Sequence, residues 1–283
     1  MLIDPLNISS TPVAILSNIG LKTSVGVSSD DPKKERHLTL EMHVILSIYG
    51  NSKLISRKII DTLKPNSHKF YSIDEEIEKL NLLDTADFCV LHRIPTNLMS
   101  SNEIPELVEV AESPDFDMYR MVVQYSSAEL NKGSVIYETP PNFNQNKNRG
   151  NFLSFSNKIY LTEKVKNNLV FINYSTNRNF DSTANVKLSI YNADGLNLTT
   201  ESFTVKPFSF TAFDVNALKL KTKEKFLTFT AAADGLSLIP LSVSLCTSNG
   251  GVSIEHSHPP QAYLMAPWLV TANIKKAAVK ILG

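Results

Sequence analysis

The tetrapeptide Glu255-His256-Ser257-His258 holds the residue types best suited to chemistry in this chain. In an extended strand, residues two apart share a face, so His256 and His258 project together, about 7 Å apart. Two imidazoles so placed can hold a transition metal such as zinc or iron if a further ligand approaches from a neighbouring strand. Glu255 points to the opposite face. The further ligand would come from His43, His68, His92, Asp214 or a residue of another subunit. Two other readings of the strand stand beside the metal site. Its side chains can cap the end of a sheet next to Pro259-Pro260. Alternatively, Glu255, His256, His258, Tyr263 and Trp268 can line a pocket for an organic ligand. Apart from this possible metal, no cofactor is expected. The chain has no Gly-x-Ser-x-Gly, no phosphate loop and no Gly-x-Gly-x-x-Gly. Cys89 and His92, three apart, fall on opposite faces of a strand, and Cys89 reads as core. Glu103, Glu106, Glu109 and Glu112 form an acidic stripe that reads as a solvated helical face.

The elements that position these residues occur twice. Leu46-Ser47-Ile48-Tyr49 returns as Leu188-Ser189-Ile190-Tyr191, and Lys64-Pro65 returns as Lys206-Pro207, both 142 positions on (46 to 188, 65 to 207). Tyr71-Ser72-Ile73-Asp74 lies over Phe213-Asp214-Val215-Asn216, and both halves end in a Pro-Pro pair, Pro140-Pro141 and Pro259-Pro260. A repeated unit implies two similar domains. The boundaries read as 1–145 and 146–283, joined by the polar segment Asn142 to Asn151, with an insertion near 97–117 in the first. Leu38 to Tyr49 alternates with period two, as a strand with one buried face requires. Asp194-Gly195 signals a hairpin turn, and Gly50-Asn51-Ser52 takes that place in the first half. Further strands read as Leu169–Asn173, Ala184–Tyr191, Thr200–Val205, Phe208–Val215, Phe226–Ala232, Leu238–Cys246 and Val252–His258. Short helices are expected at Asp74–Leu83 and Ile104–Glu112; Asn273–Leu282 fits either a helix or a strand. Strands of this length and spacing, punctuated by Gly, Pro, Asn and Asp, imply an all-β chain of two tandem antiparallel β-sandwich domains.

The motif order of the second half adds a resemblance. Leu169-Val170-Phe171-Ile172-Asn173, Ala184 to Tyr191, Thr204-Val205-Lys206-Pro207, Phe213-Asp214-Val215-Asn216 and Glu255-His256-Ser257 follow in an order similar to that of the sensory rhodopsin transducer family. That resemblance implies a small β-sandwich, oligomeric assembly, and binding of a small ligand or a protein.

Composition narrows the function. Hydrophobic residues make up 42% of 283 and charged residues 20%, enough to bury a core in each half. Lys+Arg and Asp+Glu are equal at 28, which argues against a dedicated nucleic-acid binder. Lys219, Lys221, Lys223 and Lys225 alternate with Leu220, Thr222 and Glu224 and read as a solvated loop or strand end. No apolar run is long enough to span a membrane, and the start of the chain lacks the pattern of a signal peptide. Cys89 and Cys246 fall at non-equivalent places in the two halves, so a cytoplasmic protein with reduced thiols is expected. The sequence thus leads to a tandem sandwich that binds rather than catalyses. Its partner would be a small organic or carbohydrate-like ligand or a protein, and a homo-oligomer is expected. The competing readings are a metal-dependent enzyme using His256 and His258, and a purely structural self-assembling protein.

Overall fold

A computed structural model describes residues 9–29, 41–96, 121–129, 133–137, 151–152, 158–175, 179–233, 236 and 238–256. These residues are nearly all strand, in four antiparallel sheets, with one short α-helix. The chain divides into two compact units. The first comprises Met1–Ala128, Val135–Asn142 and Ser175–Phe180; the second comprises Glu129–Ser134, Phe143–Tyr174 and Asp181–Gly283.

The first unit carries β1 (Ser9–Ala14), β2 (Leu21–Ser28), β3 (Met42–Gly50), β4 (Lys53–Leu63), β5 (His68–Ser72), α1 (Ile73–Glu78), β6 (Phe88–Pro95), β7 (Val122–Ser127) and β8 (Gly133–Tyr137). Sheet A has the order β1-β6-β3-β4 and sheet B the order β5-β2-β7-β8. The sheets are joined across the core by the Arg93 guanidinium, which donates to Ser28 O at 2.7 Å, and by the Tyr125 hydroxyl, which donates to Ala14 O at 3.1 Å. Val44, Leu46, Ile48, Leu91, Val25 and Val123 fill the space between them. Asn51 and Ser52, both at positive φ, make the two-residue turn between β3 and β4. Gly50 is required there because a Cβ would stand 2.3 Å from the Thr85 carbonyl oxygen. The Ser72 hydroxyl accepts from Glu75 N and caps α1, whose first turn carries Asp74, Glu75 and Glu76. Ile73 and Ile77, one turn apart, are its buried side.

The second unit carries β9 (Asn151–Phe152), β10 (Lys158–Tyr160), β11 (Val165–Asn173), β12 (Ala184–Tyr191), β13 (Asn197–Val205), β14 (Ser209–Asp214), β15 (Phe226–Ala233), β16 (Ile239–Cys246) and β17 (Val252–His256). Sheet C runs β10-β15-β12-β13, with β9 also paired to β15; sheet D runs β14-β11-β16-β17. Between them Phe203 stacks on Phe213 and lies tilted against Phe171, with ring centroids 5.5 and 5.4 Å apart. Asn173 Nδ2 reaches across to Val205 O at 3.0 Å, and Asn167 Nδ2 to Tyr160 O at 3.0 Å.

Replacing each strand of sheets A and B by the strand nine places later in the chain reproduces sheets C and D. Register mostly agrees too. Leu46 stands opposite Leu91 as Leu188 stands opposite Ala231, and the ladder slips between Ile48 and Tyr49 as it slips between Ile190 and Tyr191. The β3–β4 ladder slips a second time, between Val44 and Ile45, where β12–β13 runs unbroken; a bulge bends and twists the strand that carries it, so the hairpins share one local twist and differ by another.

Two expectations change. β3 does not have one buried face: Ile45, Ser47 and Tyr49 are buried as fully as Val44, Leu46 and Ile48, because the outer side of sheet A is also out of water. The first helix is shorter than Asp74–Leu83; after Glu78 the chain turns, and Asn81 takes a left-handed conformation. The insertion at 97–117 with its glutamate stripe, residues 142–150 of the connector, and 273–282 lie outside the described residues.

Candidate functional site

Equivalent strands present two very different outer faces. In sheet A the face away from sheet B is built from Ile45, Ser47, Tyr49, Phe88, Val90 and His92, all buried. A polar row crosses it. The Ser10 hydroxyl meets His92 Nδ1 at 2.8 Å, His92 Nε2 meets the Ser47 hydroxyl at 2.9 Å, and Arg57 Nε donates to the same Ser47 oxygen at 2.8 Å. The row steps across all four strands. Hydroxyls donate or accept, so a neutral imidazole in either tautomer keeps both nitrogens bonded. Burial, and then the positive charge of Arg57, push the His92 pKa down to about 3. The ring is neutral at ordinary pH, and its work is to satisfy a buried polar row. Cys89 faces the core on the other side of β6; burial pushes its thiol pKa up and leaves it inert. The two share no site.

Sheet C turns a different surface outward. Tyr160 ends β10 and Phe226 begins β15; they are directly paired, their ring centroids are 4.8 Å apart, and they are 37% and 57% exposed. Thr228 and Thr230 follow on the same side of β15, and Tyr191, Ser189 and Lys187 oppose them and Ala232 from β12. The Thr230 hydroxyl donates to the Tyr191 hydroxyl at 3.4 Å, and the hydroxyls of Ser189 and Thr200 meet at 2.9 Å. The result is an exposed aromatic pair continued by a field of hydroxyls, with Lys158 and Lys187 at ladder positions of the same face, opposite Thr228 and Ala232. This face was not singled out from the sequence. Tyr160 and Phe226 stand 66 positions apart (160 to 226), and only the pairing of β10 with β15 brings them together.

The histidine strand is β17, the last strand of sheet D on the side away from β14. Ladder pairing sets Ile254 opposite Val243, Glu255 opposite Ser242 and His256 opposite Leu241. Glu255 is exposed while Ile254 is buried, in keeping with alternate faces. His256 is the last described residue, and its side chain, with His258, Tyr263 and Trp268, lies outside the described residues. Of the suggested further ligands, His92 is engaged by the serines, His43 Nδ1 meets the Thr62 hydroxyl at 2.8 Å, and Asp214 Oδ1 accepts from Asn216 N at 2.9 Å. Among the described residues no group of three or more His, Cys, Asp or Glu side chains is placed to hold a metal ion. No described helix is long and apolar enough to cross a membrane.

No protein-family model matches this chain, and no curated protein matches it in sequence. Among solved structures it is similar to a β-glucuronidase of glycoside hydrolase family 2, at 11% identity over 89% of this chain and 23% of that one, with a TM-score of 0.18. The Bacteroides uniformis β-glucuronidase gives 10% identity over 89% and 26%, at 0.17. A putative β-galactosidase from Bacteroides fragilis gives 7% over 88% and 32%, at 0.15. The chain spans about a quarter to a third of the length of these enzymes. Likeness at this level assigns no family and no activity.

Proposed function

We propose that this is a non-catalytic tandem β-sandwich protein, a duplicated module whose second copy binds a carbohydrate-like ligand on the outer face of sheet C. The observation that carries the reading is the exposed Tyr160–Phe226 pair beside the hydroxyls of Thr228, Thr230 and Thr200. An exposed Phe at this position is a poor choice for solvation alone. Aromatic rings give a saccharide's C–H faces an apolar surface, and neighbouring hydroxyls exchange hydrogen bonds with its own. The duplication is supported by the strand-for-strand sheet order and by the bulge after Ile48 and Ile190.

The test is affinity electrophoresis of the full chain through gels containing a set of soluble polysaccharides, neutral and acidic. Retardation by at least one of them, lost in Phe226→Ala and Tyr160→Ala with the circular dichroism unchanged, supports the reading. A chain that migrates freely through the whole set sinks it.

Assembly is the second reading, favoured by β4. This 11-residue strand is an edge of sheet A and exposes Leu54, Ile55 and Ile59. A long edge strand with exposed Leu and Ile side chains is a template for pairing with another strand. Light scattering of wild type and of Ile55→Lys separates the cases: a defined oligomer dissolved by the substitution supports assembly through β4, and a monomer at all concentrations excludes it.

A further inference from the structure

The charges around the sheet C face specify its ligand more narrowly, and this step rests on the carbohydrate reading above. One end of the second unit gathers the loops that follow β10, β12, β14 and β16. The loop of residues 215–225 carries Lys219, Lys221, Lys223 and Lys225, all exposed, while Leu220, Thr222 and Glu224 between them are half-buried. The alternation aims the lysines at water.

Glu224, the carboxylate within this loop, is taken up by the fold. It accepts from Asn192 Nδ2 at 2.9 Å and from Ala193 N at 2.7 Å, which ties the lysine loop to the turn between β12 and β13. Lys225 O accepts from Leu161 N at 2.8 Å. That bond holds the loop's last residue against the residue after Tyr160, at the mouth of the aromatic pair. Lys187 lies on the same face, four residues before Tyr191 on β12 and so about 13 Å along the strand. No carboxylate shares the face among the described strand residues. The whole chain has a formal net charge of zero, so this cationic rim is a local arrangement rather than a consequence of composition.

We propose that the ligand is an acidic glycan, one whose sugars bear carboxylate or sulfate groups. Its pyranose rings lie on Tyr160 and Phe226, and its anionic groups meet the lysines of the 219–225 loop and Lys187. A single-stranded nucleic acid would also find rings and cations. However, stacked bases call for successive aromatic platforms along a basic groove, and here one ring pair is followed by hydroxyls. Lysines set at the rim of an aromatic pair contribute by charge complementarity, which salt weakens.

The experiment compares polygalacturonate with a neutral galactan of matched length, using the full chain in affinity electrophoresis and titration calorimetry at low and high salt. The acidic polymer should bind tighter by on the order of tenfold at low salt, with the preference shrinking as salt rises. A variant with Lys219→Gln, Lys221→Gln, Lys223→Gln and Lys225→Gln should lose that preference and keep the residual affinity for the neutral polymer. Phe226→Ala should lose both. Equal, salt-insensitive binding of the two polymers overturns the acidic assignment and leaves the carbohydrate reading standing. Absence of binding to either polymer, or to any other member of the polysaccharide set, overturns both. Retention by an oligothymidylate or by vesicles containing phosphatidylserine, abolished by the lysine variant in a chain that ignores glycans, also overturns both.

Discussion

Sheets A and C share strand order and most of their register, yet one outer face is buried throughout β3 and β6 and the other only in part, at Ser189 and Ala232. In β3 and β6 the ladder pairs Tyr49 with Phe88, Ser47 with Val90 and Ile45 with His92. In β12 and β15 the same places hold Tyr191 with Thr228, Ser189 with Thr230 and Lys187 with Ala232. The serine and the tyrosine are retained. The other positions change from large apolar groups and a buried imidazole to hydroxyls, a lysine and an alanine. A sandwich fixes where side chains stand, and the side-chain types at equivalent ladder positions set the chemistry of each face. Tyr49 shows the consequence: it is buried beside Phe88, with ring centroids 5.9 Å apart and burial raising its pKa, whereas Tyr191 is half-buried and accepts a hydrogen bond from Thr230.

The largest effect that would test the shared frame is at the bulged hairpins. Gly50→Ala drives a methyl into the Thr85 backbone carbonyl and should cost about 3 kcal/mol or more, measured as a shift of the urea midpoint. Gly195, in the corresponding turn, has open space around it and only its positive φ to lose, so Gly195→Ala should cost about 1 kcal/mol. Equal costs would mean that the hairpins do not differ as the geometry requires.

Acid sharpens the comparison next. His92 is neutral when folded, with its pKa near 3, whereas an unfolded histidine takes up its proton near 6.5. Between those values the unfolded chain binds the extra proton, so stability falls as pH falls, by about 1.4 kcal/mol per unit. Ala232 stands at the matching place in sheet C and titrates nothing. The wild-type urea midpoint should therefore drop from pH 6.5 to pH 4.5, and most of that slope should vanish in His92→Gln. Strand-resolved hydrogen exchange in the full chain should place the loss in β3 and β6. A slope that survives the substitution would remove His92 from the account.

The serines of the repeated tetrapeptide come third. Ser47→Ala strips a partner from both His92 and Arg57 and should cost about 2 kcal/mol; Ser189→Ala breaks one hydroxyl pair with Thr200 and should cost about 1 kcal/mol or less.

These contrasts separate what is readable in the chain from what is not. The strands themselves were legible: alternation gave β3 and β12, the Asp194-Gly195 pair gave the hairpin of β12 and β13, and proline marked the ends of β4 and β13. Leu46-Ser47-Ile48-Tyr49 and Leu188-Ser189-Ile190-Tyr191 each sit beside a slip of the ladder, the bulge at their last two residues. Burial of the outer face was not legible, since alternation reports one covered side and cannot announce a second. The Ser10–His92–Ser47 row was hidden for a related reason: its members come from three strands, and only register makes them neighbours. A polar serine repeated inside an apolar tetrapeptide was the available signal. Tyr160 and Phe226 gave no signal at all, each being an ordinary aromatic at a strand end. For the histidine strand, the alternation of Glu255 with Ile254 was readable, but what surrounds His256 depends on contacts far away in the chain.

The smallest effect lies where the sheets of each unit meet at the edge. In the first unit the clip is polar: Lys69 Nζ donates to Asp61 Oδ2 at 2.6 Å and the Tyr71 hydroxyl donates to the same oxygen at 3.1 Å. The matching residues of the second unit, Phe203 and Phe213, stack instead. The hydrogen bond from Lys69 holds the Asp61 carboxyl below its usual range, with Thr62 N and Tyr71 helping against the cost of partial burial. A carboxylate with a depressed folded pKa stabilises the protein above the unfolded value near 4 and loses that contribution as pH falls through and below it. The pair is partly solvated, so Asp61→Asn should cost only about 0.5 kcal/mol at pH 7. The difference between variant and wild type should narrow as pH falls below the unfolded value near 4, even though His92 destabilises both proteins as the pH falls. Phe203→Leu, in contrast, should cost the same at pH 7 and pH 3, because nothing in its ring contact titrates. If the Asp61→Asn difference instead stays constant from pH 7 to pH 3, the clip works through packing in both units, and the two edges are chemically alike despite their side chains.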